Sequence, residues 1–180
     1  MTRLATCAAA LAAAMLLIAA DTVPDPLAPA HSGMVQCYDP NTDVKTCRAI
    51  GAYTFESDGT IQNQATFALP SGRDALVVKT TTPVIVRDGA VCGPFSKDAI
   101  KSASVFLNGR RLPPDDANQI RVQLMAVMAD RFGKEICTSY RAFKDEFYAS
   151  VKVDGAPDPA ASDYVLWIKP DDGYTVVPAQ

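Results

Sequence analysis

Histidine is nearly absent from this sequence of 180 residues, which contains only His31. Catalytic triads need a base that is usually histidine, and zinc is held mainly by histidine and cysteine. His31 lies in a proline-rich stretch near the N-terminus, where it is poorly placed for either role. C-x-x-C pairs are also missing, which argues against zinc knuckles and thioredoxin-like redox motifs. The sequence therefore predicts no metal site and no cofactor.

Glycine clusters and an excess of basic residues are absent as well. Gly51, Gly59 and Gly72 are isolated, so the chain has no glycine-rich loop of the kind that cradles phosphate groups. The formal net charge is −3, whereas nucleic-acid-binding proteins usually carry a net basic face. These absences argue against a nucleotide-binding loop and against nucleic acid as a partner.

The N-terminal residues 1–20 have the composition of a secretory signal peptide. Arg3 precedes an alanine- and leucine-rich run that ends in small residues before Asp21, a pattern that predicts cleavage near Ala20. A retained anchor is the alternative, because the run is near the lower limit of about 17–25 residues for a membrane span. Cleavage would bring the net charge to −4. Since no later run is apolar enough to span a membrane, we expect a periplasmic or secreted protein.

Residues 21–33 and 34–180 differ in character. The first stretch, the proline-rich leader, contains Pro24, Pro26 and Pro29 and has no apolar periodicity, which predicts an extended or flexible segment. The remaining residues suit one domain with one hydrophobic core. We therefore expect the fold to begin near Met34.

Removal of the signal peptide would also remove Cys7 and leave four cysteines, Cys37, Cys47, Cys92 and Cys137. An even number of cysteines in an exported chain indicates a disulfide framework, and four cysteines allow three pairings. Cys37 and Cys47 flank a turn rich in Pro, Asn and Asp, so we expect them to pair. Cys92 and Cys137 are then the remaining pair.

The loop between the first two cysteines resembles the start of a calcium-binding loop. Asp39, Asn41 and Asp43 have the spacing of the first three ligands, but an EF-hand also needs glycine at its sixth position and glutamate at its twelfth. Those positions are Val44 and Ile50. We therefore expect the polar side chains to shape a turn by bonding their own backbone, with a weak cation site of another type as the alternative.

Turn dipeptides and apolar patterning predict the fold class. Alternating apolar and polar residues at 61–69 and 147–153 predict half-buried strands, and Asp-Gly or Asn-Gly pairs, which favour hairpins, recur at Asp58, Asp88, Asn108, Asp154 and Asp172. Residues 115–132 instead have helical spacing, with acidic residues at the start and Arg131 near the end. Ser96 is placed to cap a short helical turn. The prediction is an α+β domain, an antiparallel sheet of several hairpins with one long amphipathic helix on one face.

A possible interaction surface involves the only tryptophan, Trp167. Alternation along its strand puts Val165 on the same face, and if the helix covered the other face, Trp167 would be an exposed aromatic anchor near Tyr148. The alternative is a buried Trp167. Arg110 and Arg111, beside a hairpin tip, could bind an anion or an acidic partner, or could simply be solvated.

These observations favour a non-enzymatic binding or interaction module without an identifiable catalytic site. Its partner would be a protein, a glycan or an envelope component. The alternative is a hydrolase that uses carboxylates or a Ser/Lys pair. Three pairs of adjacent acids are present, at residues 115–116, 145–146 and 171–172, but neighbouring acids at helix starts and turns are usually capping or solvated groups, and hydrolytic pairs normally come from different elements.

Overall fold

The computed structural model describes residues 24–71 and 75–178. Its main feature is a closed antiparallel β-barrel of eight strands, with further short strands attached. The signal peptide expected at residues 1–20 lies outside the described residues. With the strands numbered in chain order, the circuit runs through β1 (Val35–Tyr38), β12 (Asp163–Ile168), β10 (Glu146–Val153), β9 (Glu135–Phe143), β6 (Ala90–Pro94), β5 (Leu76–Arg87), β4 (Ile61–Leu69) and β3 (Ala49–Phe55), which pairs again with β1.

Strand β5 closes the barrel because it is long enough to have partners on both edges. One edge pairs with the whole of β4, while on the other edge residues 85–87 pair with β6 and residues 76–79 pair with β7 (Ser104–Leu107). Short strands extend this framework: β8 (Arg110–Arg111) pairs with β7, and β11 (Ala156–Pro157) pairs with β10. A separate parallel pair joins β2 (Thr46–Cys47) to β13 (Thr175–Val176).

The barrel overturns the expected α+β class. The strands and most hairpins are present, but they form a closed barrel rather than an open sheet with a helix on one face. A sheet that closes on itself covers its inner face with its own opposite wall, so no helix is needed there. The helix at the predicted position, α2 (Pro114–Val127), lies over one end of the barrel instead, and it is the only described helix of seven or more residues.

Two helices close the end of the barrel where β6 stops and β9 begins, which we call the helix end. The short helix α1 (Lys97–Lys101) is capped as expected, because the Ser96 hydroxyl accepts a bond of 3.2 Å from the backbone N–H of Ala99. Apolar side chains of both helices then pack against β5 and β7 in one cluster, whose buried members are Val78, Ile100, Ala103, Val105, Ala117 and Leu124.

The opposite end of the barrel, the leader end, is closed by the described part of the proline-rich leader. Residues 24–33 form turns and a short 3-10 helix, Ala30–Ser32, just before β1. Leu27 is fully buried and Ala30 nearly so, in a cluster with Val91 and Trp167 inside the barrel. The packed part of the chain therefore starts before Met34.

Four of the five turn dipeptides join paired strands as their chemistry predicts. At the β5–β6 turn, for example, Asp88 and Gly89 have φ angles of 52° and 72°, in the left-handed region that type I′ hairpins need. The fifth dipeptide, Asp172-Gly173, differs because it lies between β12 and β13, which do not pair with each other.

Both predicted disulfides are present. Cys37 in β1 is bonded to Cys47 in β2, and Cys92 in β6 is bonded to Cys137, its direct cross-strand partner in β9. The first closes the loop after β1, and the second ties together two neighbouring barrel strands. In the described part of the chain, no helix combines the length and the apolar character that crossing a membrane requires.

Candidate ligand-binding cavity

The inside of the barrel contains a cavity of about 320 Å³. It lies between the barrel strands and is roofed at the helix end by Phe95, Ala99, Ile100 and Met128. Its wall has an apolar part and a polar part. The apolar part includes Ala65, Phe67, Val84, Val91 and Ile136, and the polar part includes Tyr38, Tyr53, Asn63, Thr80, Thr82, Thr138 and Tyr140.

Three tyrosine hydroxyls of the polar wall meet at one buried amide, that of Gln36. The hydroxyls of Tyr38 and Tyr53 donate to Oε1 of Gln36 at 2.9 and 3.0 Å, and the Tyr140 hydroxyl lies 3.4 Å from the same oxygen. Tyr38 and Tyr140 also share a hydrogen bond of 3.1 Å. These four side chains, the tyrosine cluster, come from β1, β3 and β9 and are brought together only by barrel closure.

Gln36 can occupy the barrel interior because its neighbour on β3 is a glycine. Gly51 is directly opposite Gln36, and a Cβ atom there would lie 3.1 Å from Oε1 of Gln36. Gln36 is fully buried, and its Nε2 has no hydrogen-bond partner among the described residues. Because a buried polar group without a partner is costly, selection for stability alone does not account for a glutamine here.

The pKa values of the three tyrosines are all raised above the ordinary range. For Tyr38, Tyr53 and Tyr140 alike, the largest cause is burial, which disfavours the charged phenolate, and a neighbouring tyrosine raises each pKa further. The three hydroxyls therefore remain protonated at neutral pH. They can form hydrogen bonds but cannot act as bases.

Among the described residues that line this cavity, tyrosine is the only type with an ionisable side chain. Three larger depressions are open to the surface. Those of about 500 and 580 Å³ lie beside the disulfide-closed loop and beside the leader, and exposed loop residues form much of their walls. The third, of about 440 Å³, lies beside the β3–β4 turn. The interior cavity is instead built on the strands, which position side chains more rigidly than loops do.

Two residues of the expected interaction surface face the barrel interior. Trp167 is only 8% exposed and Val165 is fully buried, because odd-numbered positions of β12 point inward. Of the two interpretations of Trp167, the structure agrees with the buried tryptophan and not with the exposed aromatic anchor. The reason is again closure, since the face that an open sheet would leave to solvent is the inside of a barrel.

The fluorescence of Trp167 is expected to report this burial. Emission from the native protein should be blue-shifted and protected from iodide, because the indole packs against Leu27 and Val91. Emission in guanidinium chloride, the control, should shift to the red and become quenchable. Red-shifted, readily quenched emission from the native protein would contradict the interior position.

The other expected surface residues lie apart from one another. Tyr148 is on the outside of β10, 5.4 Å from Tyr164 between ring centroids, and Phe143 extends this outer aromatic group. Arg110 and Arg111 are exposed on β8, which is attached through β7 to β5. Strands β9 and β6 separate β10 from β5 around the barrel, so these residues do not form one site.

The remaining candidate residues lie in turns and at the ends of elements. Asn41 Oδ1 accepts bonds from the backbone N–H groups of Asp43 and Val44, which is the expected self-bonded turn. The paired acids lie at the start of α2, at the β9–β10 hairpin and at the turn after β12. In the last of these, Asp172 accepts a bond from the backbone N–H of Lys169.

Sequence reasoning missed the tyrosine cluster, although a weak signal was available. Gln36 and Tyr38 have the same alternation phase in β1, and Asn63 shares a phase with Ile61, Ala65 and Phe67 in β4. Polar residues at otherwise apolar positions indicate a polar interior. The sequence does not show which of these polar side chains contact one another, because the contacts depend on pairings between strands that are far apart in the chain.

The fold and the cavity together define a class, a closed eight-stranded barrel with a small internal cavity, an architecture wide enough to enclose one small ligand. Compared with protein-family models, curated proteins and solved structures, the chain has no significant match.

Proposed function

We propose that this protein is an exported, non-enzymatic binding module that holds one small, largely apolar molecule inside its barrel. The observation that carries the proposal is the interior cavity of about 320 Å³, whose wall is apolar except for the tyrosine cluster and nearby hydroxyl and amide groups. Small-molecule sites usually have this composition, a mostly hydrophobic wall with a few polar groups that fix orientation, and volumes of about 300–1,000 Å³.

Two further features support the proposal. The unpartnered Nε2 of Gln36 and the packing of three tyrosines around one amide exceed what a simple barrel core needs, since an apolar core of the same shape would leave no group unpaired. The two disulfides support export, because such bonds persist mainly in oxidising compartments.

The binding test uses two fluorescent probes that share one aromatic skeleton, N-phenyl-1-naphthylamine and 1-anilinonaphthalene-8-sulfonate. At least one probe should bind with enhanced emission, and the variant Ala65→Phe should weaken binding about tenfold or more, because it fills the cavity. Ala52→Phe is the matched control, since Ala52 is opposite the exposed Gln64 on the outside of the barrel. Equal binding by both variants would refute an interior site.

A further inference from the structure

We infer that the ligand is an uncharged molecule, an apolar skeleton with a hydroxyl or carbonyl group, rather than an anion such as a fatty acid. This inference rests on the proposed function and narrows it to one chemical class. It follows from the charges and hydrogen-bonding groups that the cavity wall presents.

The first argument is the lack of a countercharge. The described lining residues include no lysine, arginine, histidine, aspartate or glutamate. Moving an ionised group from water into such an interior without a partner is strongly unfavourable. Arg48 and Asp163 act electrostatically on Tyr38, but they form an ion pair with each other, so their effects on a nearby charge largely cancel.

The second argument concerns the tyrosines, the strongest polar groups of the wall. Burial raises the pKa of Tyr140 and of its two neighbours well above the usual range, so the cluster carries no charge near neutral pH. It cannot attract a cation as a phenolate would. A neutral hydroxyl can still form hydrogen bonds with a neutral ligand.

The third argument concerns the hydrogen bonds that the three tyrosine hydroxyls can still form with a ligand. A carbonyl oxygen has two lone pairs, and Oε1 of Gln36 uses them at short distance for Tyr38 and Tyr53. The Tyr140 hydroxyl lies 3.4 Å from that oxygen and 3.1 Å from the Tyr38 hydroxyl, and it also interacts with Tyr53. The protons of all three hydroxyls are thus used inside the cluster, so toward a ligand these hydroxyls offer acceptor lone pairs. Thr138, two residues earlier on β9, also lines the cavity and has a hydroxyl that can donate to a carbonyl group.

The two probes named above decide the question, because they differ only by a sulfonate. N-phenyl-1-naphthylamine is neutral and 1-anilinonaphthalene-8-sulfonate is an anion. We expect the neutral probe to bind the wild-type protein about tenfold or more tightly than the anion, since the wall offers no countercharge. Ala65→Phe should weaken binding of the neutral probe and should have little effect on residual surface binding of the anion.

A second variant adds the missing charge. Met128→Lys brings a cation to the roof of the cavity and should reduce the preference for the neutral probe. Val127→Lys is the matched control. Val127 is the residue before Met128 and is 80% exposed, so a lysine there would point to solvent. This control variant should leave the ratio of the affinities for the neutral and the anionic probe unchanged.

The two possible failures are distinguishable. If the anion binds as tightly as the neutral probe or more tightly, and Ala65→Phe weakens that binding, the neutral class is wrong and the interior site stands. If Ala65→Phe changes the binding of neither probe, the interior site itself is refuted, and the inference falls with it.

Discussion

Replacing Gln36 by leucine is expected to lower the free energy of unfolding by about 1–3 kcal/mol. Leucine has a similar size but no acceptor, so the hydroxyls of Tyr38 and Tyr53 lose their bonds to Oε1. Tyr38 keeps its bond with Tyr140, and a buried hydroxyl left without a partner costs about 1–3 kcal/mol. Removal of the unpartnered Nε2 offsets part of this loss. Because a typical domain is stable by only about 5–15 kcal/mol, a loss of this size should shift the unfolding transition measurably.

Urea denaturation followed by tryptophan fluorescence measures this change. Gln64→Leu is the matched control, since Gln64 is exposed on the outside of β4 and its side chain donates to the exposed Thr54 at 3.3 Å. A surface change of this kind should alter the stability by about 0.5 kcal/mol or less. If both variants lost the same stability, the tyrosine cluster would have no special role in the fold.

The protein is expected to unfold cooperatively in alkali, beginning above about pH 10. The ordinary pKa of tyrosine is about 10, and burial raises the pKa of Tyr38, Tyr53 and Tyr140 above it in the folded state. Above pH 10 the native state therefore holds protons that the unfolded state has lost, so stability falls as the pH rises. Three such groups give a maximum slope of about 4 kcal/mol per pH unit.

The ultraviolet absorbance of phenolate and the circular dichroism of the barrel should change together in one transition. Tyr53→Phe removes one of the three groups and should make the loss of stability with pH less steep. Tyr164→Phe, the control, removes a tyrosine from the exposed outer surface and should leave the slope unchanged. Stepwise ionisation of every tyrosine with the circular dichroism intact would show that the cluster is open to solvent.

Features that depend on short stretches of sequence were predictable. The Asp88-Gly89 turn, the Ser96 cap and the Cys37–Cys47 disulfide each involve residues close together in the chain, so their chemistry is visible locally. The second disulfide followed by elimination, because only one pair of cysteines remained. Strand alternation also marked the inward positions of β10, where Ala149 and Val151 are buried.

Barrel closure was not predictable in the same way, because it depends on pairings between distant strands. β1 pairs with β12, whose residues follow it by more than a hundred positions, and no local pattern in Val35–Tyr38 specifies that partner. An inward-facing residue has the same alternation in an open sheet and in a barrel. The helix α2 was located correctly, but its role as a cover for the sheet was wrong, since only the closed topology places it at an end.

The cavity site depends on the same distant pairings. The local pattern around Trp167, the most conspicuous side chain, fits an exposed anchor and a buried residue equally well, and only the closed ring places it inside. Nothing in the local sequence singles out Gln36, Tyr53 or Tyr140, because each is an ordinary residue for its own strand. Their meeting is a property of three strands in one closed ring, so only the tertiary structure reveals it.

The position of β1 in the ring has a consequence for how the chain acquires its shape. This strand is the first of the barrel to be synthesised, yet it lies between β3 and β12, and β12 ends at Ile168. Until that residue is available, the ring has a gap, and the side chains of the future interior remain exposed. Folding dominated by such distant pairings is slow, and the ring can close only after the chain has been made through the end of β12.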